Sequence, residues 1–393
     1  MRGLAILMVM VLHFVGLRTP YTLGQRLVVK AAGYGMLGVD LFFVLSGFLI
    51  TGLLMDSRGE PRAYRNFYAR RILRIFPLYY GVLVVCFLLL PLVIRLPPWF
   101  EAVRDHQVWL WTFTSNIATA LHGSWAPLSY LSHFWSLAIE EHYYLLWPWI
   151  VLSVRPRTLE RICVGVLVGA LALRIALALG GMSELSISVL TPCRIDTLCI
   201  GGLLAALARR SAGPGILVER SGRTLVGLGA ALLLLSAWCA LTQLGLPILH
   251  QVRSSLFALF FGALLLLSLG PRSHPVSRAL QAPVLRFFGK YSYGLYVYSG
   301  ILSWIFLKGA LDPWLDGRLG NHSLTLATHA VLGVGLSIAI AVVSYQLFEK
   351  PFLERKRYFR APRPCPQGAH PVGEGVLSEP ARLPVTPGRE PPR

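Results

Sequence analysis

Long apolar runs separated by short arginine-rich segments constrain the fold of this chain more than any other feature. The runs at 81–94, 162–180, 224–241 and 256–270 approach the roughly 20 residues that cross a lipid bilayer as one helix. Only 14% of the 393 residues are charged, against about a quarter in ordinary soluble domains. The sequence therefore predicts an all-α, polytopic integral membrane protein.

Apolar stretches and the polar breaks between them predict about ten transmembrane helices. These spans are expected at 3–18, 36–55, 76–95, 134–153, 161–180, 190–208, 223–243, 251–270, 284–308 and 324–348. The segment 105–121 carries hydroxyl groups, Asn116 and two tryptophans, which favours an interfacial or re-entrant piece over an eleventh span. We expect the spans to form one transmembrane domain over residues 1–355.

The net charge of +19 is explained by membrane topology and needs no nucleic-acid partner. With the N-terminus inside and an even number of spans, 27 of the 37 lysines and arginines lie on the cytoplasmic side and seven outside. Short cytoplasmic loops accumulate such residues. We therefore expect both termini in the cytoplasm.

The last 33 residues, 361–393, differ in composition from the rest of the chain. They contain nine prolines and almost no apolar periodicity. Such a segment cannot bury enough apolar surface to offset the loss of chain entropy on folding. The sequence predicts a disordered, proline-rich cytoplasmic tail.

Titratable side chains inside predicted spans mark candidate functional positions, because a charge at the bilayer centre costs about 2.5–3.5 kcal/mol on insertion scales. Six positions stand out: His13, Asp40, Glu140, Glu141, Arg194 and Asp196. Eleven residues separate Arg2 from His13, which places both on one helix face about 16 Å apart. A hydrogen-bonded packing histidine, and an ion pair between Glu140 and Arg194, are the non-catalytic alternatives.

Three arginines, Arg70, Arg71 and Arg74, cluster just before the third predicted span. Guanidinium groups at a helix entrance suit bidentate binding of phosphates. The tendency of cytoplasmic segments to be basic explains the same cluster without a ligand.

Taken together, these segments resemble the acyltransferase 3 family, membrane enzymes that O-acylate sugars and other cell-surface or exported molecules. The blocks that carry the resemblance are RGLAILMVMVLHF at 2–14, GVDLFFVLSGFLIT at 38–51, YARRILRIFPLYY at 68–80, HFWSLAIEEHYYLLWP at 133–148, TPCRIDTLCIGGLLA at 191–205, FGKYSYGLYVYS at 288–299 and FEKPF at 348–352. Ser299 stands where the family commonly has a histidine. No segment resembles the extracytoplasmic hydrolase-like domain of some relatives, so we expect the membrane domain itself to acylate the acceptor.

The resemblance implies transfer of an acyl group, acetyl first, from cytoplasmic acyl-coenzyme A to a hydroxyl of a cell-surface or exported glycan. An imidazole with a pKa near 6.5 suits deprotonation of that hydroxyl, so we assign His13 as the base. A carboxylate is expected to orient it: Glu140 first, Glu141 second, with Asp40 and Asp196 as rivals. An acylated His13 that hands the group across the membrane is an open alternative.

The remaining site residues follow from the same resemblance. Arg2, Arg70, Arg71 and Arg74 are expected to bind the phosphates of coenzyme A. Substrate-binding or structural polar roles are expected for Ser46, His133, Trp135, Arg194, Asp196 and Tyr293. The six cysteines lack metal-ligand spacing, so no metal is expected.

Other functions fit parts of the pattern. The acceptor can be a small hydroxylated molecule that is not a glycan. A polytopic transporter also carries intramembrane charges, although this chain shows no internal repeat. A non-catalytic membrane scaffold is the third possibility. In every case we expect a multi-pass protein in the cytoplasmic membrane of a bacterium.

Overall fold

Residues 1–209, 213–242, 247–270, 274–308 and 311–359 are described by a computed structural model, and within them the secondary structure is helical, without strands. The long helices are α1 (Arg2–Val11), α2 (Leu23–Gly33), α3 (Leu37–Asp56), α4 (Ala63–Val84), α5 (Trp135–Ser153), α6 (Pro156–Leu179), α7 (Thr191–Ala208), α8 (Gly213–Thr242), α9 (Pro247–Ser268), α10 (Pro283–Lys308) and α11 (His322–Ser344). The predicted all-α class is confirmed. The predicted tail, 361–393, lies outside the described residues.

Shorter helical segments connect the long helices. Three are π-helical and extend α1, α4 and α11: Leu12–Gly16, Val85–Leu89 and Tyr345–Glu349. The others are Tyr34–Met36, Leu90–Val93, Pro98–Glu101, Ala102–His106, Gln107–Trp111, Ser115–His122, Ser129–Phe134, Glu184–Val189, Pro275–Leu280, Leu311–Leu319, Lys350–Glu354 and Arg355–Tyr358. His13 lies in the first π-helical turn, a kind of irregularity often found at functional sites.

Within the described residues the predicted spans are largely helical, but two of them begin well after the start of their helices, and α2 lies in none of them. The seventh predicted span begins at 223, whereas α8 begins at Gly213. The third predicted span begins at 76, whereas α4 begins at Ala63. Hydropathy detects only the apolar part of a helix, while the preceding alanine and arginines are good helix formers that extend it. The arginine cluster therefore belongs to the first turns of α4. The segment 105–121 contains two short helices.

Within the described part of the chain, six helical stretches are long and apolar enough to cross a bilayer. They are Leu23–Asp56, Ala63–Val93, Pro156–Leu179, Thr191–Ala208, Ile248–Ser268 and His322–Tyr358. Their number supports a multi-pass membrane protein.

Helix α3 lies at the centre of the bundle, where it packs against α1, α5, α7 and α9. Its closest neighbour is α7. A Cβ added at Gly47 would overlap the backbone of Leu198, and one at Gly201 would overlap the backbone of Val44. Glycines at such a crossing let two membrane helices touch backbone to backbone. This tight crossing holds the polar residues of α3 in fixed register with those of α7.

Candidate active site

The first cavity, here called the arginine cavity, has a volume of about 80 Å³. Three cations line it: Arg2 at the start of α1, and Arg71 and Arg74 from α4. Its other polar lining residues are Ser46, Ser136, Glu140, Tyr144, Ser292, Tyr293 and Tyr296. A cavity with several guanidinium groups and a single carboxylate is suited to a multiply charged anion.

The second cavity, here called the histidine cavity, has a volume of about 90 Å³. It is lined by His13 and His133, whose ring centroids lie 6.0 Å apart in an edge-to-face arrangement. Its remaining polar and aromatic lining residues are Trp125, Ser132, Trp135, Tyr296, Ser303 and Trp304. The apolar walls and few polar groups are typical of a site that excludes water around its reactive groups.

The two cavities are neighbours, because Val39 and Tyr296 line both. Their order along the helices is consistent. On α1 and its extension, Arg2 lines the arginine cavity and His13 the histidine cavity, about 16 Å further along the axis. On α10 the order is the same, from Tyr293 to Ser303. Both helices therefore run from the cationic cavity to the imidazoles.

The partner of His13 is a serine. His13 is 6% exposed, and its Nδ1 lies 3.0 Å from the hydroxyl oxygen of Ser299. That hydroxyl also lies 3.5 Å from the backbone carbonyl of Tyr296. Among the described residues, no carboxylate forms a hydrogen bond with His13. The expectation that an acidic residue contacts this imidazole is therefore wrong in its geometry, because α10 places a hydroxyl at that position.

Glu140 instead belongs to the arginine cavity. Its Oε1 accepts a hydrogen bond from Ser46 Oγ at 2.9 Å, and its Oε2 accepts one from Tyr144 OH at 2.9 Å. Arg2 and Arg71 lie within electrostatic range of it. The alternative ion pair with Arg194 is not formed. Glu140 thus supplies the negative charge among the cations of the arginine cavity.

The neighbouring Glu141 lines neither of these two cavities. Adjacent residues of a helix point about 100° apart, so when Glu140 faces the arginine cavity its neighbour faces other side chains. Glu141 Oε1 is buried without a hydrogen-bond partner among the described residues.

The other two predicted acidic residues, Asp40 and Asp196, each form a buried ion pair. Arg194 donates to Asp40 Oδ1 at 2.5 Å, and Arg174 donates to Asp196 Oδ2 at 2.8 Å. Asp196 Oδ1 also accepts the backbone N–H of Thr197 at 2.8 Å. Each pair joins two helices, α3 to α7 and α6 to α7. The structure places both aspartates away from His13, in contrast to their predicted role as rival orienting groups.

Arg70 separates from the other two arginines of its cluster. Its Nη1 donates to the carbonyl oxygens of Phe359 at 3.0 Å and Lys356 at 3.4 Å. Arg71 and Arg74 line the arginine cavity, whereas Arg70, about one turn before Arg74 on the same helix, contacts the C-terminal segment. Arg71 also lies over the Tyr144 ring, with its Cζ 5.4 Å from the centroid. The arginines that the structure brings together are Arg2, Arg71 and Arg74.

Three further predicted residues line the cavities. Tyr293 lines the arginine cavity and donates to the Ile75 carbonyl at 2.8 Å. His133 donates its Nε2 hydrogen to the Val297 carbonyl at 3.1 Å. Trp135 packs edge to face with Phe43.

Tyr296 is the most prominent site residue that the sequence did not predict. It lies between the two cavities, and its hydroxyl donates to the His133 carbonyl at 2.7 Å and lies 2.5 Å from Ser136 Oγ. The spacing of polar residues along α10 is the sequence signal for this position. Tyr293 and Tyr296 are three residues apart, and Ser299 and Gly300 continue the same helix face.

Replacing Asp40 with alanine is expected to destabilise the protein by about 3–5 kcal/mol, because Arg194 would be left buried without a counter-charge. A double Asp40→Leu, Arg194→Leu variant should lose less stability, since neither charge remains. Thermal unfolding in detergent measures both effects.

The matched control is Asp56→Ala, which breaks the more exposed ion pair with Arg209 and should cost only about 0–1 kcal/mol. If Asp40→Ala unfolded at the wild-type temperature yet abolished activity, Asp40 would be a catalytic residue instead of an ion-pair partner.

Comparison with known proteins identifies similar sequences. The family model for the acyltransferase domain matches residues 1–346. The chain is 26% identical to the peptidoglycan O-acetyltransferase OatA of Listeria monocytogenes over 331 residues, which are 81% of this chain and 51% of that protein. It is 25% identical to the O-acetyltransferase OatA of Staphylococcus aureus over 345 residues, 83% of this chain and 54% of that protein. The chain thus spans about half the length of these relatives. No solved structure matches it.

Proposed function

Since the chain belongs to the acyltransferase 3 family, we propose that it is a membrane O-acetyltransferase that moves an acetyl group from cytoplasmic acetyl-coenzyme A to a hydroxyl of a cell-surface glycan. The observation that carries the proposal is the adjacency of the arginine cavity and the histidine cavity. The O-acetyltransferases among its relatives, two of them named for peptidoglycan, favour a cell-wall glycan as the acceptor.

The donor binds with its phosphates on Arg2, Arg71 and Arg74. Planar guanidinium groups form paired, charge-assisted hydrogen bonds with phosphate oxygens. Glu140 keeps Arg2 and Arg71 oriented and limits their mutual repulsion before the donor arrives. The extended pantetheine arm then passes Val39 and Tyr296, and it covers the roughly 16 Å from Arg2 to His13.

His13 acts as the base. Its Nδ1–H donates to Ser299 Oγ, and the serine hydroxyl donates onward to the Tyr296 carbonyl, so the lone pair of Nε2 is free for the substrate. Nε2 takes the proton of the acceptor hydroxyl as that oxygen attacks the thioester carbonyl. The C–S bond then breaks, and the leaving sulfur takes the proton from the imidazolium. The products are the acetyl ester and free coenzyme A.

A serine at position 299 affects His13 differently from a carboxylate. A carboxylate would fix the imidazole tautomer and would also stabilise the protonated, cationic imidazole. A hydroxyl fixes the tautomer but carries no charge that stabilises the cation. Ser299 therefore acts as a positioning residue for His13.

The membrane topology proposed here has ten spans with both termini in the cytoplasm, in the cytoplasmic membrane of a bacterium. The charge distribution supports it, since 27 of 37 basic residues then lie inside. The order of the cavities also supports it. In this topology Arg2 and the first turns of α4 face the cytoplasm, where acetyl-coenzyme A is available, and His13 lies deeper.

The test is acetyl transfer by the purified full-length protein in liposomes. Acetyl-coenzyme A labelled in the acetyl group is supplied with cell-wall glycan fragments, and we expect ester formation with one free coenzyme A released per acetyl group transferred. Solute flux without ester formation would indicate a transporter. Absence of both transfer and acetyl-coenzyme A binding would indicate a scaffold, and transfer only to small hydroxylated molecules would overturn the glycan acceptor.

A further inference from the structure

A third cavity, here called the outer cavity, is much larger than the other two, with a volume of about 550 Å³. It lies between α2, α3, α7, α9 and the short helix Glu184–Val189. This volume is in the range of cavities that hold small-molecule ligands, about 300–1,000 Å³. The charged and titratable residues of its wall are Lys30, Asp40, Glu184, Arg194, His250 and Arg253.

The charges of this wall do not balance. Asp40 is paired with Arg194, and Glu184 Oε1 lies 3.6 Å from His250 Nδ1. Lys30 and Arg253 form no ion pair within the described residues. His250 carries a charge only when it is protonated, so Glu184 remains a carboxylate of this wall. Three cations, Lys30, Arg194 and Arg253, then face two carboxylates, Asp40 and Glu184, which leaves an excess of one positive charge. A ligand bearing a negative charge would balance it.

The outer cavity is next to the histidine cavity. Met36, Trp125 and Trp135 line both. A molecule in the outer cavity therefore lies next to side chains that also line the cavity of the His13 imidazole. The arginine cavity shares Val39 and Tyr296 with the histidine cavity and no lining residue with the outer cavity. The three cavities follow one another, with the imidazoles in the middle.

Aromatic side chains form part of the same wall. Tyr34, Trp125, Trp135 and Phe257 line the outer cavity. Tyrosine and tryptophan present a flat apolar face and a polar edge. Such surfaces suit a sugar ring, whose C–H faces are apolar and whose edges carry hydroxyl groups.

We infer that the outer cavity binds the acceptor, and that the acceptor is an anionic saccharide whose charged group contacts Arg253 and Lys30 while one hydroxyl reaches His13. This inference rests on the proposed acetyl transfer and adds the class of acceptor and the residues that select it. Lys30 and Arg253 are specificity residues, since they contact the acceptor away from the reacting hydroxyl.

The experiment compares three versions of one disaccharide as acceptors for the liposome-reconstituted protein: with a carboxylate, with the carboxylate reduced to an alcohol, and with a phosphate monoester. We expect kcat/KM to be about tenfold higher or more for a charged version than for the neutral one, the effect of a single charge-assisted hydrogen bond. The carboxylate and phosphate arms distinguish the two sources of charge.

Arg253→Gln and Lys30→Gln should each reduce the preference for the charged over the neutral disaccharide by about tenfold, through the KM of the acceptor. The KM for acetyl-coenzyme A should not change, because the donor lies beyond His13. The matched control is Arg318→Gln, a basic residue of Leu311–Leu319 outside the three cavities. An unchanged preference in Arg253→Gln, or equal transfer to charged and neutral disaccharides by the wild type, would overturn the inference.

Direct binding of the charged disaccharide to the detergent-purified protein separates this inference from the proposed reaction. Binding that weakens in Arg253→Gln supports the outer cavity as a saccharide site even if no acetyl transfer occurs, in which case the proposed function is wrong. Acetyl transfer to a neutral saccharide with no binding of the charged one leaves the proposed function intact and overturns the inference.

Discussion

Replacing His13 with alanine is expected to lower acetyl transfer by about 10²–10⁴-fold, the usual contribution of a positioned general base. The imidazole is buried in the histidine cavity, where no bulk water replaces it as a proton acceptor. Binding of acetyl-coenzyme A should remain, because the arginine cavity is unchanged. The measurements are the single-turnover rate of ester formation and the dissociation constant of the donor.

Two further variants make this result specific to His13. Ser299→Ala keeps the imidazole but removes its hydrogen-bond partner, and the rate should fall by roughly tenfold, the effect of one hydrogen bond. His122→Ala changes a histidine whose Nδ1 lies 2.8 Å from the Ala118 carbonyl, outside both cavities, and should leave the rate unchanged.

His133 provides the competing outcome, because its imidazole lines the same cavity. If His13→Ala transferred acetyl at the wild-type rate while His133→Ala did not, the base would be His133. If label from acetyl-coenzyme A accumulated on the protein in the absence of acceptor, and only when His13 was present, an acylated imidazole would replace direct transfer.

A double Arg71→Ala, Arg74→Ala variant is expected to raise the KM for acetyl-coenzyme A by about 100-fold or more. Each substitution removes at least one hydrogen bond between a guanidinium and a phosphate, worth about 1.5–3 kcal/mol. A tenfold change in affinity corresponds to about 1.4 kcal/mol. The rate at saturating donor should change much less, because these side chains line the arginine cavity and not the histidine cavity that holds His13. Steady-state kinetics with varied donor concentration measure both quantities.

Other arginines of α4 serve as controls. Arg65→Ala alters a side chain in the first turns of the same helix, outside the arginine cavity, and should leave the KM unchanged. Arg70→Ala should change the KM by less than tenfold, since its guanidinium contacts backbone carbonyls of the C-terminal segment. A larger effect from Arg70 than from the double variant would show that the phosphates bind beside the C-terminal segment and not in the arginine cavity.

The resemblance seen in the sequence is confirmed by the family match over 1–346. The helical class and the approximate positions of the long helices other than α2, which lies in no predicted span, were also predictable from the sequence. Hydropathy and helical periodicity are local properties, and in a bilayer the backbone must satisfy its hydrogen bonds within each helix. The same local geometry predicts Arg2 and His13 on one face of α1 and its π-helical extension.

The partners of the polar groups were not predictable in this way. Adjacent positions such as Glu140 and Glu141, or Arg70 and Arg71, look equivalent in the sequence, and only the rotation of each helix against its neighbours distinguishes them. Hydropathy also placed the start of α4 too late, because it detects apolar residues and the first turns of this helix are basic.

The amino-acid sequence by itself determined that this protein is a helical membrane protein with titratable groups at defined depths along its helices. Only the tertiary structure decided that Ser299, 286 residues away, is the partner of His13, that Asp40 pairs with Arg194, and that Lys30 and Arg253 share one cavity. The physical reason is that each of these contacts depends on which helix faces pack together, and that choice is made by close packing across the whole bundle.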